Sequence, residues 1–154
     1  MLTHAEAQRL IHLDKVIESP AIASFPSSGN RKVLELTSVD GNENFIVDIN
    51  RPGQIFLSRC TYQNRYRKDI ILLRLDINGP KHTNPDGTII PCPHLHVYRE
   101  GSMDRWAYPV DPNDFPHLND MIQTMIDFLE YCHVTNTSEI RSLQGGVFDG
   151  TTRY

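Results

Sequence analysis

Apolar residues near the start of the chain recur at helical intervals, with Leu10, Leu13 and Ile17 on one face. Thr3-His-Ala-Glu6 precedes them as a capping box, a threonine hydroxyl for the N3 amide and a glutamate reaching back to the cap. The spacing predicts a helix to about Glu18, stopped by Ser19-Pro20 and followed by a loop at Pro26–Asn30. The rhythm then shortens to a period of two. Lys32–Thr37, Asn44–Asn50, Ile55–Tyr66 and Asp69–Ile77 read as strands, separated by Asp40-Gly41-Asn42, Pro52-Gly53 and similar turn residues. His94–Glu100 makes a fifth strand, with a possible continuation near Arg105–Tyr108 across the turn Glu100–Asp104. Connections this short predict an antiparallel meander.

The helical period returns late in the chain. Asp114 offers a cap and Pro116 suits a first turn; Leu118, Met121, Ile122, Met125, Phe128, Leu129 and Cys132 follow at helical spacing. A short helix near Glu139–Leu143 is expected in the tail. The pattern predicts one α+β domain over residues 1–154, with an N-terminal helix, a meander of about five strands and a C-terminal amphipathic helix packed on the sheet.

Two features of this pattern carry chemistry. The first is "CPHLHVYRE", Cys92 to Glu100. Alternation puts His94, His96 and Tyr98 on one face and Leu95 and Val97 on the other. In the preceding strand Ile71, Leu73, Leu75 and Ile77 form the apolar face, so Arg74 and Asp76 turn the other way, toward the histidines. The second is the loop "NGPKHTNPDGT", Asn78 to Thr88, in which Asn84-Pro85-Asp86-Gly87 is a turn signal. A loop that folds back there brings Lys81, His82 and Thr83 beside His94 and His96. Arg59 and Thr61 are candidates to join from the Ile55–Tyr66 strand.

Charge sharpens this picture. The net charge is −4, but residues 51–100 hold eight basic and four acidic side chains and three of the seven histidines. Residues 1–50 hold four and seven, and residues 101–154 three and eight. A basic middle in an acidic chain suits a local anion site. The N-terminus has no signal-peptide pattern, and no apolar run approaches the ~20 residues that span a bilayer. Three scattered cysteines, Cys60, Cys92 and Cys132, suit reduced thiols, so a cytoplasmic protein without membrane contact is expected.

The span "LRLDINGPKHTNPDG…PHLHVYREG…WAYPV", Leu73 to Val110, resembles an uncharacterised family of small bacterial and mobile-element proteins. The resemblance covers about a quarter of the chain, implies no activity, and suggests that His82, Asp86, His94, His96, Glu100 and Trp106 act as one unit. His94-x-His96-x₃-Glu100 also looks like the first metal motif of cupins, which implies His94, His96 and Glu100 as ligands, but the second cupin motif is missing. Cys92 with His94 and His96 is a further candidate set for zinc, but CxHxH lacks the paired CxxC spacing of structural zinc sites.

The expected function is metal-independent cleavage of RNA, with no cofactor. Such chemistry needs a base for the 2′-hydroxyl, an acid for the leaving 5′-oxygen and cations around phosphorus. His94 and His96 are the expected acid and base, with His82 as a third proton-transfer or binding group. Arg74 and Lys81 are expected on the phosphate, Arg59 and Thr83 among the substrate-binding residues, and Tyr98 as a stacking platform for a base. A helix followed by a meander is similar in outline to barnase and RelE ribonucleases, which implies the toxin of a toxin–antitoxin or defence system, with an antitoxin partner. The alternative is an acidic inhibitor from a phage or mobile element that binds a nucleic-acid-handling protein.

Overall fold

The structure, a computed structural model, describes residues 1–20, 23–53 and 58–140. Its centre is a seven-stranded antiparallel sheet: β1 (Lys15–Ile17), β2 (Arg31–Ser38), β3 (Asn44–Asn50), β4 (Cys60–Tyr66), β5 (Ile70–Ile77), β8 (His94–Val97) and β9 (Ala107–Pro109), in that spatial order. The one interruption in chain order is a two-stranded hairpin, β6 (His82–Thr83) with β7 (Ile89–Ile90), between β5 and β8. Helices α1 (His4–His12) and α2 (Met121–Tyr131) complete the fold, which is the α+β meander the apolar rhythm predicts.

Alternation decides which face is buried. Leu34, Leu36, Phe45, Val47, Ile49, Tyr62, Leu73, Leu75 and Leu95 form one core with Leu10 of α1 and Met125, Phe128 and Leu129 of α2. Tyr62 joins sheet to helix, its ring 5.9 Å from that of Phe128 and its hydroxyl donating to the carbonyl of Met121. Both helices contribute to this core, and the residues between the apolar ones face the other way. There the sheet is polar.

Four boundaries differ from the sequence expectation. The first helix ends at His12 rather than near Glu18, and Val16 and Ile17 pair with β2. The cause is Lys15, a fully buried side chain whose ammonium donates to the carbonyls of Leu10, Ile11, Leu13 and Cys132 at 2.8–3.1 Å. It satisfies the orphan carbonyls of the helix end and ties them to the end of α2. The second helix begins at Met121, not at Asp114: Asp120 is the cap and accepts from the Gln123 amide, while Asp111 closes a turn with Asn113. The histidine strand stops at Val97, where the turn at Arg99–Met103 leads to β9. The fourth lies in the loop after β5, which is itself a hairpin. Of the expected helix at Glu139–Leu143, residues 139–140 are helical and the remainder lies outside the described residues, as do residues 55–57 of the expected Ile55–Tyr66 strand, which is a strand from Cys60 onward.

Candidate functional site

The polar face is ordered by cross-strand register. Arg74 of β5 stands opposite His96 of β8, and Asp76 opposite His94. Next along the sheet, Gln63 of β4 faces Arg74 and Thr61 faces Asp76. Directly opposed side chains in a sheet lie close enough to bond, and these do. Arg74 donates through Nε to Asp76 at 3.1 Å, through Nη1 to Asp104 at 3.2 Å, and through Nη2 to His96 Nε2 at 2.9 Å.

The guanidinium has only donors, so His96 Nε2 accepts, and the proton sits on Nδ1, which donates to the Asp104 carbonyl at 2.8 Å. His94 differs. Its Nδ1 faces the Pro91 carbonyl at 3.2 Å and its Nε2 faces an Asp76 carboxylate oxygen at 3.1 Å. Both ring nitrogens of His94 thus face acceptors. Burial raises the Asp76 carboxyl, but the charge and hydrogen bond of the Arg74 guanidinium outweigh that and hold it down at about 2. Asp76 is therefore a fixed anion at the centre of the cluster.

The hairpin β6–β7 brings the third histidine. Asn84, Pro85, Asp86 and Gly87 close it: the Gly87 amide donates to the Asn84 carbonyl at 2.8 Å, and Gly87 has φ +90°, a region open to glycine. The buried Asn84 side chain then bonds the backbone of Ala107 twice, accepting from its amide at 2.8 Å and donating to its carbonyl at 3.0 Å. The hairpin is thereby pinned along β9, and His82 lies over the sheet. Its ring is 4.6 Å from that of His96 and 6.0 Å from that of His94, which are themselves 5.0 Å apart. His82 Nε2 donates to the Arg105 carbonyl at 2.8 Å, which leaves the lone pair of a neutral ring on Nδ1. At the root of the loop the Cys92 thiol donates to the Asp76 carbonyl at 3.0 Å and accepts from the Gly79 amide at 3.2 Å.

Arg74, Asp76 and the three histidines line a pocket of about 390 Å³. His94 and His96, each 1 % exposed, form its floor, and the half-buried His82 its side. Arg59 and Lys81 line it too, and among the described residues neither makes an ion pair. Such a pocket, with two unpaired cations above a cluster of three imidazoles, suits an anion that gains or loses protons.

The structure thus gathers His82, His94, His96, Arg74, Lys81 and Arg59. It leaves out three residues expected with them. Tyr98 is buried in the core, and its hydroxyl donates to the Leu2 carbonyl and accepts from the Leu2 amide, so it has no face to offer a base. Thr83 is exposed on the hairpin and lies outside the pocket wall. Glu100 accepts from the His4 amide at the start of α1 and stands apart from the histidines, which removes the cupin-type ligand set; the single meander sheet is likewise no jelly roll. Cys92, bonded to backbone, is not part of a zinc cluster with the histidines.

Asp104, Asn50 and Gln63 belong to the site without having been picked out beforehand, whereas alternation already places Asp76 on this face, two residues after Arg74. Asp104 was not open to such inference, because it reaches Arg74 from beyond a turn.

No curated protein and no solved structure matches the chain. A family model does, over residues 2–134, which include every residue of the pocket, and the chain belongs to that family of unknown function, DUF6978.

Proposed function

We propose that the protein cleaves RNA by proton transfer, without a metal cofactor. The observation that carries this is the set of three imidazoles within 6.0 Å of one another in a pocket that Arg59 and Lys81 also line, neither of them ion-paired among the described residues. His82, the least buried of the three, takes the 2′-hydroxyl proton on Nδ1. The 2′-oxygen forms a bond to phosphorus, and the bond from phosphorus to the 5′-oxygen breaks. His94 gives its proton to that departing oxygen, and a 2′,3′-cyclic phosphate remains. Arg59 and Lys81 hold the phosphate oxygens, and Asp76 and Arg74 hold His94 and His96 in place.

A divalent-metal centre has one observation in its favour: Asp76, His94 and His96 present donor atoms within 4.8 Å of one another, each histidine backed on Nδ1 by a backbone carbonyl. Arg74 speaks against it. Its Nη2 lies 2.9 Å from His96 Nε2 and 3.4 Å from Asp76 Oδ2, so a permanent cation takes the place an ion needs. Titration with zinc or manganese discriminates: one ion bound per chain, lost in His96→Ala, favours the metal centre.

Incubating the purified protein with total RNA in excess EDTA tests the proposal. Wild type yields fragments ending in cyclic phosphate, and His82→Ala and His94→Ala do not. Intact RNA with wild type overturns it and favours a role as an inhibitor that binds a nucleic-acid-handling protein.

A further inference from the structure

We infer that the pocket is one end of a track for single-stranded RNA that crosses the sheet at right angles to its strands and holds a second phosphate at Arg31. This deepens the cleavage reading and rests on it for the chemistry at the pocket.

One row of opposed residues runs through five strands. Arg31 of β2 faces Asn50 of β3, which faces Thr61 of β4, which faces Asp76 of β5, which faces His94 of β8. Four strand spacings amount to ~19 Å. Beside it runs a second row, Asp48, Gln63, Arg74 and His96. A second recess, of about 280 Å³, lies over β2–β4 and shares Asn50, Thr61 and Gln63 with the first. The two are therefore continuous.

The charges along this path are distributed unevenly. Arg65 is locked to Asp48 by two bonds of 2.6 and 2.9 Å and is neutralised there. Arg31 at the far end is exposed and, among the described residues, makes no ion pair, like Arg59 and Lys81 at the near end. Cations at both ends that make no ion pair among the described residues, with Asn50, Gln63 and Thr61 between them and the carboxylates Asp48 and Asp76 each tied to an arginine, suit a chain that carries a phosphate at each end and hydrogen-bonding edges in the middle.

That chain is a single strand. In a duplex the edges that Asn50, Thr61 and Gln63 would bond are already paired, whereas an unpaired strand offers them. Among the described residues, no phenylalanine, tyrosine or tryptophan lines either recess, and those that do line them offer charge and hydrogen bonds. Such binding is strongly salt-dependent, with a slope of log K against log salt of about −0.7 for each phosphate contact to a single strand.

Fluorescence anisotropy with a labelled single-stranded RNA tests the track, in a His82→Ala background that keeps the RNA whole. The expected slope, about −2 for Arg31, Arg59 and Lys81, becomes shallower by about 0.7 in Arg31→Ala, and a duplex of the same sequence binds more weakly. A second arm reads cleavage. With His82 intact, Arg31→Ala lowers kcat/KM roughly tenfold on the longer RNA and leaves a dinucleoside monophosphate, too short to reach Arg31, unchanged. An unchanged slope, or tighter binding to the duplex, overturns the track while leaving cleavage at the pocket in place. Uncut RNA with an Arg31-dependent slope removes the cleavage reading and leaves the track standing. RNA that is not bound at all removes both.

Discussion

His82 stands edge-on to His96, with 4.6 Å between ring centroids and 72° between ring planes, although the two come from different sheets. Only the seating of the β6–β7 hairpin makes this so, and that seating depends on the two bonds between Asn84 and Ala107. Asn84→Ala should release the hairpin and lower kcat roughly tenfold to a hundredfold, with stability reduced by only ~1–3 kcal/mol. Hydrogen exchange at the Ala107 amide, faster in the variant while the core strands stay protected, checks that the loss comes from the hairpin.

Asp76 sets an acid limit on stability. Its carboxyl sits at about 2 in the folded protein against an ordinary value of 3.8, so the unfolded chain binds the proton first as pH falls. The stabilisation is full above about pH 4 and is lost between there and pH 2. It amounts to ~2 kcal/mol, at about 1.4 kcal/mol for each unit. Urea melts at several pH values should show a steeper fall in this window for wild type than for Asp76→Asn. Equal slopes would mean that the carboxylate is not held as described.

Lys15 should matter more to the fold than its charge suggests. Lys15→Met keeps the aliphatic stem and strips four buried carbonyls of their donor. A loss of roughly 2–4 kcal/mol in denaturant unfolding is expected, with RNA cleavage per folded molecule unchanged.

Tyr98 separates core from site. Tyr98→Phe removes the bonds to the Leu2 backbone and should cost ~1 kcal/mol. It should leave cleavage as it was, since the ring lies outside the pocket. Lost activity at full stability would return Tyr98 to the site.

The period-2 rhythm made the sheet legible, and with it the shared face of Arg74, His94 and His96. Asn84-Pro85-Asp86-Gly87 made the fold-back of His82 legible as well. The same rhythm misplaced Tyr98, because β8 ends at Val97 and alternation stops with the strand. The first helix was read too long because Leu13 and Ile17 keep helical spacing with Leu10; a buried ammonium that ends the helix leaves no mark in that pattern. The start of α2 was set by Asp120 rather than Asp114, a choice between two aspartates that local sequence leaves open. Contacts such as Asp104 with Arg74 depend on how a turn directs the chain, and no spacing rule reports them.

The most direct measurement is cleavage of a short oligonucleotide containing one ribonucleotide in an otherwise deoxy strand, in excess EDTA, across a range of pH. Proton transfer between histidines predicts cleavage only at the ribonucleotide and a bell-shaped rate. His82→Ala or His94→Ala should lower that rate by ~10²–10⁴. Equal cleavage of the all-deoxy strand, or activity that EDTA abolishes and manganese restores, would contradict it.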